Sequence, residues 1–493
     1  MDKNIKKPTL LAALIPILFL VIALFINVMI FGDDGLSGSN QLILVLASAV
    51  AAIVAMTLGM SWDQMQSGIV KSISSAMPSM LILLLIGSLA GTWLLSGIVP
   101  AMIYYGLQIL NAKIFLFASC VVCAIISLAS GSSWSTVATI GVALLGIGKA
   151  LGMSEGLIAG SIISGAYFGD KMSPLSDTTN LAPAVAGTDL FTHIRYMTYT
   201  TIPSISIALI IYLVLGFVGT EGTAPGDIDA ILGSIDAVFN INLALFIVPV
   251  IVIGMIVKKV PAVPALLAGI LLGAVFAIIF QPQVIQQISS DGSIAYNTYV
   301  AVMKSMYGDI AITTDNATVN DLLSTGGMAG MLGTIWLILC AMVFGGIMEA
   351  SGMLHKITET IINYAHSTGS LIASTATTCL FFNITASDQY LAIVVPGRMF
   401  SETYRDRGLK PENLSRALED SGTVTSVLVP WNTCGATQSN VLGVATIAYL
   451  PFCFFNIISP IMTIIFGYFQ IKLSKYTAEE LKAKQAEDLA AAN

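Results

Sequence analysis

Three aspartates interrupt apolar stretches of the chain and lie among hydroxyl residues and helix breakers. Asp170 and Asp177 belong to the segment FGDKMSPLSDTT, and Asp388 belongs to FNITASDQ. A carboxylate in such a place can bind a cation when it is ionised and a proton when it is not. Competition between the two is the minimum chemistry for exchanging Na⁺ against H⁺ at one site. Structural alternatives stay open, because Asp170 could pair with Lys171, and Asp177 or Asp388 could cap a helix.

Four polar stretches break the apolar segments, and they form two matched pairs. The first pair is GSSWST (131–136) and GDKMSPLSDTT (169–179), and the second is NITASDQ (383–389) and VPWNTCGATQSN (429–440). Irregular backbone at membrane depth survives only where protein or a water-filled cavity satisfies its polar groups. The freed carbonyls, with Ser, Thr and Asp oxygens, are hard ligands that suit Na⁺ or Li⁺. Half-helix N-termini meeting there would favour an anion instead.

The composition indicates the class of protein that must position these breaks. Of the 493 residues, 56% are hydrophobic and 10% are charged, whereas a soluble domain carries roughly 25% charged residues. Apolar stretches recur along the chain at about the 20-residue length that a membrane-spanning helix needs. We therefore predict an all-α polytopic membrane protein. The six cysteines are scattered and suggest no zinc or disulfide framework.

The positions of Lys and Arg predict the orientation in the membrane, because cytoplasmic loops are enriched in these residues. Lysines at both ends place residues 1–9 and the tail 472–493 in the cytoplasm. The linker 220–238 is acidic and has no basic residue, and the polar excursion 281–330 has a single lysine, so both are expected outside. This distribution of basic and acidic residues predicts a multi-pass protein of the cell inner membrane.

The two halves of the chain resemble each other at a nearly constant offset. SLAGTWLLSG aligns with VFGGIMEASG 255 positions later, and Pro174 aligns with Pro430. The first half, 10–219, begins inside and the second, 239–471, begins outside, so the repeat is predicted to be inverted. Inverted repeats are a signature of secondary transporters, whose sites lie at the interface of the repeats.

The charge distribution also predicts re-entrant hairpins. Segments 113–149 and 368–400 each contain two apolar limbs joined by a polar tip. If both limbs of each segment crossed the membrane fully, the basic residues that follow would lie on the wrong side. We predict about ten full spans, two re-entrant hairpins and two broken helices.

The remaining charged residues near the second break suggest only surface roles. Glu419 and Asp420 begin a predicted span beside a basic loop, and we expect them to pair at the surface with Arg416. His193 lies at an inferred span end and is expected at the interface.

The motifs resemble a known family. GSSWST, the run GAYFGDKMSPLSDTTNLAPAVAGTDLF (165–191) and LVPWNTCGA (428–436) resemble the NhaC-type Na⁺/H⁺ antiporters of the ion transporter superfamily. The resemblance covers nearly the whole chain and is most specific in 165–191. At the first tip the family pattern is closer to GTSWGT, so Ser132 and Ser135 are departures that keep or add a hydroxyl. The resemblance implies Na⁺/H⁺ exchange by alternating access, without a cofactor.

The resemblance also implies a set of site residues. Ion ligands would come from the first tip and the first break, namely Ser132, Ser133, Thr136, Asp170, Ser173, Asp177 and Thr178. The second-half breaks offer mostly neutral hydrogen-bonding groups beside one aspartate, namely Asn383, Thr385, Asp388, Asn432, Thr433 and Thr437. Because some relatives exchange malate for lactate or take up amino acids with Na⁺, these groups could bind a small organic solute. Coupled transport of such a solute is therefore the alternative function.

Other classes of function fit the sequence less well. An intramembrane aspartyl protease also needs two aspartates, but Tyr167 stands where its companion glycine would lie, and the repeat has no role there. A channel would explain the helix breaks, but nothing suggests rotational symmetry. No GxxxxGK[ST] motif supports a primary pump. We expect a transporter and not an enzyme. Its partners would be Na⁺, or Li⁺, and H⁺ in a lipid bilayer, without nucleic acid, and its exposed helical faces could form a homodimer.

Overall fold

The fold is described from a computed structural model. It describes residues 6–31, 38–109, 111–218, 225–258, 260–316, 319–320, 323–363, 365–477 and 480. The predictions that rest on the first five residues, on residues 220–224 of the linker and on most of the C-terminal tail lie outside the described residues.

The first half of the chain is helical throughout its described residues. Its helices are α1 (Leu10–Phe31), α2 (Ser39–Thr57), α3 (Trp62–Leu95), α4 (Ile98–Ile109), α5 (Ala112–Ser130), α6 (Ser133–Thr136), α7 (Val142–Ala150), α8 (Glu155–Met172), α9 (Asp177–Ala186) and α10 (Leu190–Val218). A π-helical turn, Val137–Gly141, joins α6 to α7. Helix α3 begins after Ser61, which forms a capping box with Gln64.

The linker and the second half add a small β-hairpin to a further set of helices. The helices are α11 (Pro225–Val238), α12 (Ile247–Val257), α13 (Ala262–Phe280), α14 (Pro282–Ile288), α15 (Ile294–Tyr307), α16 (Gly327–Gly330), α17 (Leu332–Ala350), α18 (Met353–Asn363), α19 (Thr368–Thr385), α20 (Gln389–Asp406), α21 (Pro411–Leu418), α22 (Thr433–Leu442), α23 (Thr446–Tyr449) and α24 (Phe454–Tyr468). Strands β1 (Ile310–Ala311) and β2 (Ser324–Thr325) pair antiparallel. A π-helical turn, Glu419–Thr423, follows α21.

Many of these helices are long and apolar enough to cross a membrane. Among the described residues there are seven such helices, or up to nine if each of two bent helix pairs counts as one span. Large apolar side chains on α1, such as Leu11 and Phe25, are exposed, as expected for residues that face lipid. The protein is therefore a multi-pass helical membrane protein, while the predicted number of about ten spans is not confirmed.

The helices of the two halves follow the same order at the offset seen in the sequence. Helices α5, α8 and α9 begin at Ala112, Glu155 and Asp177, and α19, α21 and α22 each begin 256 positions later. Each half thus has a helical hairpin followed by a broken helix. The opposite orientation of the two halves, and the re-entrant course of the hairpins, stay predictions.

All four predicted breaks are present in the structure. The first hairpin turns at Gly131, with φ of 69°, and the second turns at Ser387, with φ of 59°. The first broken helix is interrupted between α8 and α9 around Pro174, and the second is interrupted before α22 around Pro430. Proline at these places explains the interruptions, because it removes a backbone donor and clashes with the preceding turn.

Gly131 brings the first hairpin tip against the first break. A side chain at Gly131 would place its Cβ 2.6 Å from the carbonyl carbon of Leu175 and 2.8 Å from the nitrogen of Ser176. The left-handed φ and this close approach both require glycine. The tip and the break therefore form one packed unit.

We expect the Gly131→Ala variant to lose more stability than the strain of an alanine at a left-handed φ would cause by itself. Gly187 has φ of 86° and no atom within 4 Å of its ideal Cβ, so Gly187→Ala is the matched control. The control should cost about 1 kcal/mol from backbone strain, and the Gly131 variant should cost more because backbone atoms must move. Thermal unfolding of the detergent-solubilised protein measures both, and equal losses would contradict the packing argument.

Candidate functional site

A cavity of ≈ 620 Å³ lies where the first hairpin tip, the first break and the second hairpin meet. Its described lining residues include two carboxylates, Asp170 and Asp177, and no lysine or arginine. The other polar lining residues are Ser130, Ser132, Ser135, Ser176, Thr178, Asn180, Gln389 and Tyr390. The cavity is therefore electronegative and rich in oxygen ligands, which suits a small hard cation.

Asp170 is held by the hairpin tip. Its Oδ2 accepts hydrogen bonds from the Ser133 hydroxyl at 2.6 Å and from the Ser133 backbone N–H at 3.1 Å. Charge-assisted bonds of this kind are stronger than neutral ones. Asp170 is half-buried and reaches the cavity, whereas Ser133 is buried behind it. The structure therefore brings these two predicted site residues together.

Three other predicted ligands have bonds within the tip or the break. Ser132 caps α6 by accepting from the Ser135 N–H at 3.2 Å, and the Thr136 hydroxyl donates to the Ser132 carbonyl at 2.9 Å. Ser173 accepts from the Leu175 N–H at 3.2 Å. Ser132 lines the cavity, while the other two side chains are buried and do not line it.

Asp177 and Thr178 both line the cavity from the start of α9. Asp177 is exposed and is not the cap, because Ser176 occupies that position and accepts from the Thr179 N–H at 3.4 Å. The alternative in which Asp177 caps the helix is therefore wrong. The Thr178 hydroxyl donates to Glu419 Oε1 at 3.0 Å, which joins the first break to the second half.

Lys171 points away from the cavity and pairs with Asp420. Both side chains are fully buried, and the Lys171 ammonium also donates to the Ser459 hydroxyl at 3.0 Å. Thr200 donates to the other oxygen of Asp420 at 2.8 Å. The suggested pairing of Lys171 with Asp170 is therefore wrong, because adjacent residues of a helix project to different sides.

The expectation that Glu419 and Asp420 pair with Arg416 at the surface is also wrong. All three side chains are fully buried. The Arg416 guanidinium lies over the Tyr196 ring at 4.5 Å, and its nitrogens have no hydrogen-bond partner among the described residues. A basic loop in the sequence suggested a water-exposed setting, but α10, α20 and α24 cover this segment.

The predicted second-half residues mostly satisfy one another. Asn383 donates to the Gly422 carbonyl at 2.7 Å, and Asn432 donates to Asn383 Oδ1 at 3.1 Å. The backbone N–H of Thr433 donates to the Ser387 carbonyl at 3.0 Å. These contacts hold the second tip against the second break, as Ser133 and Asp170 do in the first half.

The rest of the second-half set is also buried. Thr385 donates to the Phe381 carbonyl at 2.8 Å, and Asp388 caps α20 by accepting from the Leu391 N–H at 3.0 Å. The Thr437 hydroxyl has no partner among the described residues. None of the six predicted second-half residues lines the ≈ 620 Å³ cavity, and a role for them in binding a solute stays a prediction.

Several residues that the structure brings to the site were not among the predicted site residues. Gln389 and Tyr390 line the cavity from the second hairpin, and Glu419 reaches Thr178 from 241 positions away. His193, expected at the interface, is fully buried and lies 2.8 Å from the Ser415 hydroxyl. Only the packing of the two halves places these side chains.

Comparison with known proteins adds independent findings. The model of the "Na+/H+ antiporter family" matches residues 165–471. The chain is 36% identical to the Na⁺/H⁺ antiporter NhaC of Alkalihalophilus pseudofirmus over 88% of this chain and 90% of that protein. It is 35% identical to a malate-2H⁺/Na⁺-lactate antiporter of Bacillus subtilis, over 94% and 96%. The NhaC of Bacillus subtilis is 34% identical over 86% and 91%.

We expect Asp420→Asn to destabilise the protein strongly, because it leaves the Lys171 charge buried without an anionic partner. Breaking a buried pair by removing one member costs about 3–5 kcal/mol. Removing both charges in Lys171→Met/Asp420→Asn should restore part of the loss. The control is Glu349→Gln, which breaks the exposed Lys71–Glu349 contact and should cost at most about 1 kcal/mol. Similar melting temperatures for both single variants would refute the argument.

Proposed function

We propose that this chain, which belongs to the Na⁺/H⁺ antiporter family, is a secondary active transporter that exchanges Na⁺ for H⁺ by alternating access. The observation that supports this most directly is the ≈ 620 Å³ cavity, with two carboxylates and no basic side chain among its described lining residues. Its relatives are named as antiporters, and no enzymatic role is proposed.

The chemistry of the lining favours a cation over an anion. Asp170 and Asp177 supply negative charge, and the neighbouring hydroxyl and amide oxygens can replace part of the hydration shell of the ion. Ser133 holds Asp170 in place from behind, so the carboxylate need not reorient when an ion arrives. Na⁺ is the proposed cargo and Li⁺ the alternative, and no cofactor is proposed.

The same carboxylates can carry the proton. When the cation leaves, a carboxylate in a partly desolvated cavity regains a favourable neutral state by binding H⁺. Cation and proton thus compete for Asp170 and Asp177, and only one is carried on each passage. Exchange requires no further chemistry than this competition.

A second cavity supports alternating access. It has a volume of ≈ 480 Å³ and is lined by Ala138, Val142 and Lys149 of the first hairpin. Ser135, one turn earlier on the same limb, lines the first cavity. The π-helical turn at Val137–Gly141 lies at the boundary, and such turns are frequent at functional sites. We propose that this limb forms part of the barrier between the two cavities.

The orientation and assembly follow from the charge pattern and the exposed surface. We propose that the protein lies in the cell inner membrane with both termini in the cytoplasm. Ile256 and residues 260–263 line the first cavity and lie on either side of Lys258 in the sequence, so this cavity would open toward the cytoplasm. Apolar helix faces such as that of α1 would contact lipid or a second copy in a homodimer.

Transport of a small organic solute is the second candidate. The first cavity is larger than a bare cation needs, and a relative is named as a malate-2H⁺/Na⁺-lactate antiporter. Against an organic anion stands the absence of a basic side chain among the described lining residues of that cavity. The negative charge of such a solute would have to be neutralised by Na⁺ or by Lys149 in the second cavity.

The protein in liposomes with a pH dye inside should show Na⁺-driven proton movement at clamped membrane potential. Asp170→Asn should abolish the exchange, and Asp177→Asn should reduce the dependence of the proton-movement rate on the Na⁺ concentration. Each variant removes a carboxylate from the cavity. Asp63→Asn changes an exposed aspartate at the start of α3 and should behave as wild type. No proton movement from folded wild-type protein would rule out Na⁺/H⁺ exchange.

The organic-solute candidate has its own test. Adding malate inside and lactate outside the same liposomes should leave the rate of Na⁺-driven proton movement unchanged if only ions are carried. Uptake of labelled lactate that depends on internal malate would instead support the second candidate. Lys149→Met should then reduce that uptake, because Lys149 is the one basic residue among the described lining of the second cavity.

A further inference from the structure

Glu419 lies directly behind the wall of the cation cavity. It belongs to the π-helical turn after α21, is fully buried and does not line the cavity itself. Its Oε1 accepts a hydrogen bond of 3.0 Å from Thr178, which does line the cavity. Glu419 therefore contacts the site through one hydroxyl group.

This contact fixes where the hydroxyl hydrogen of Thr178 points. A hydroxyl has one hydrogen to donate and two lone pairs that accept. Because the hydrogen is directed to Glu419, the lone pairs of Thr178 remain free for the cavity. The side chain then acts toward the cavity as an acceptor, which is what a cation requires of its ligand.

Ser176 offers a second hydroxyl oxygen beside that of Thr178. The Ser176 and Thr178 oxygens are 3.2 Å apart, and both line the cavity. Because the Thr178 hydrogen is directed to Glu419, Ser176 is the donor in this contact, and a cation bound by both oxygens would replace it.

A purely structural role explains Glu419 poorly. The buried Lys171 ammonium is already paired with Asp420, and the buried Arg416 guanidinium lies over the Tyr196 ring. Glu419 Oε2 has no hydrogen-bond partner among the described residues. A buried carboxyl that is incompletely hydrogen-bonded costs folding free energy, so a purely structural role gives no reason to keep it.

We propose that Glu419 is a positioning residue for the transported cation. It holds the hydrogen of Thr178 so that the Thr178 oxygen, together with Ser176 and Asp170, binds Na⁺. This inference rests on the proposed Na⁺/H⁺ exchange and adds to it a residue of the second half that acts through Thr178. The second half thereby contributes to a site whose ligands come from the first break.

The test compares variants by the Na⁺ concentration that gives half-maximal exchange in liposomes. Glu419→Met removes the acceptor and should raise this concentration by about 10- to 100-fold, as loss of an outer-shell partner does at metal sites. Glu419→Gln keeps an acceptor oxygen and should stay within about threefold of wild type. Thr178→Val should match Glu419→Met, and the double variant should be no worse than Thr178→Val alone.

The matched control is Glu412→Met, on the same helical segment. Glu412 is nearly buried but accepts from Ser474 and not from Thr178, so the Na⁺ dependence of this variant should equal that of wild type. Na⁺-dependent thermal stabilisation in detergent measures binding without turnover. Glu419→Met should melt at or above the wild-type temperature without Na⁺ and need at least about tenfold more Na⁺ for the same stabilisation.

The outcomes separate the two proposals. If wild-type protein shows neither exchange nor stabilisation by Na⁺, the proposed function fails. If wild type responds but Glu419→Met binds Na⁺ equally well, only the positioning role of Glu419 is overturned. It is also overturned if Glu419→Met and Thr178→Val weaken Na⁺ binding additively, or if Glu419→Gln is as impaired as Glu419→Met.

Discussion

This structure depends on one constraint. Where a helix breaks inside an apolar protein, the backbone polar groups at the break must find other hydrogen-bond partners. At each break the chain lacks some helical hydrogen bonds, and lipid offers no replacement. The structure meets this need by packing a hairpin tip against a break. In the first half Ser133 donates to Asp170, and in the second half Asn432 donates to Asn383. The breaks are therefore stable only as pairs, which explains why both members of a pair occur in each half.

The burial of charge imposes a second arrangement on the first break. Asp170 and Lys171 are adjacent in sequence but project to different sides of α8. The aspartate reaches the cavity, while the lysine is neutralised by Asp420 from the second half. Separation of these charges leaves the cavity with carboxylates alone, whereas a local pair would have cancelled its attraction for cations.

The two halves share an order of helices but have different chemistry. The second-half tip and break consist largely of neutral groups that bond to one another, and the one aspartate at the tip caps a helix. The first-half tip and break open onto a cavity with two carboxylates. The second half contributes to this cavity through Gln389 and Tyr390, and through the contact of Glu419 with Thr178.

The sequence by itself determined the polytopic helical class, the four breaks and the family, because composition, proline and glycine act locally. It also identified Asp170 and Asp177, since aspartates in an apolar stretch are few. Only the tertiary structure decided that Lys171 pairs with Asp420, that Arg416 is buried, and that Glu419 lies behind Thr178. These contacts join residues more than 200 positions apart. Local sequence patterns carry no information about which buried charges will meet, because that depends on how the two halves pack.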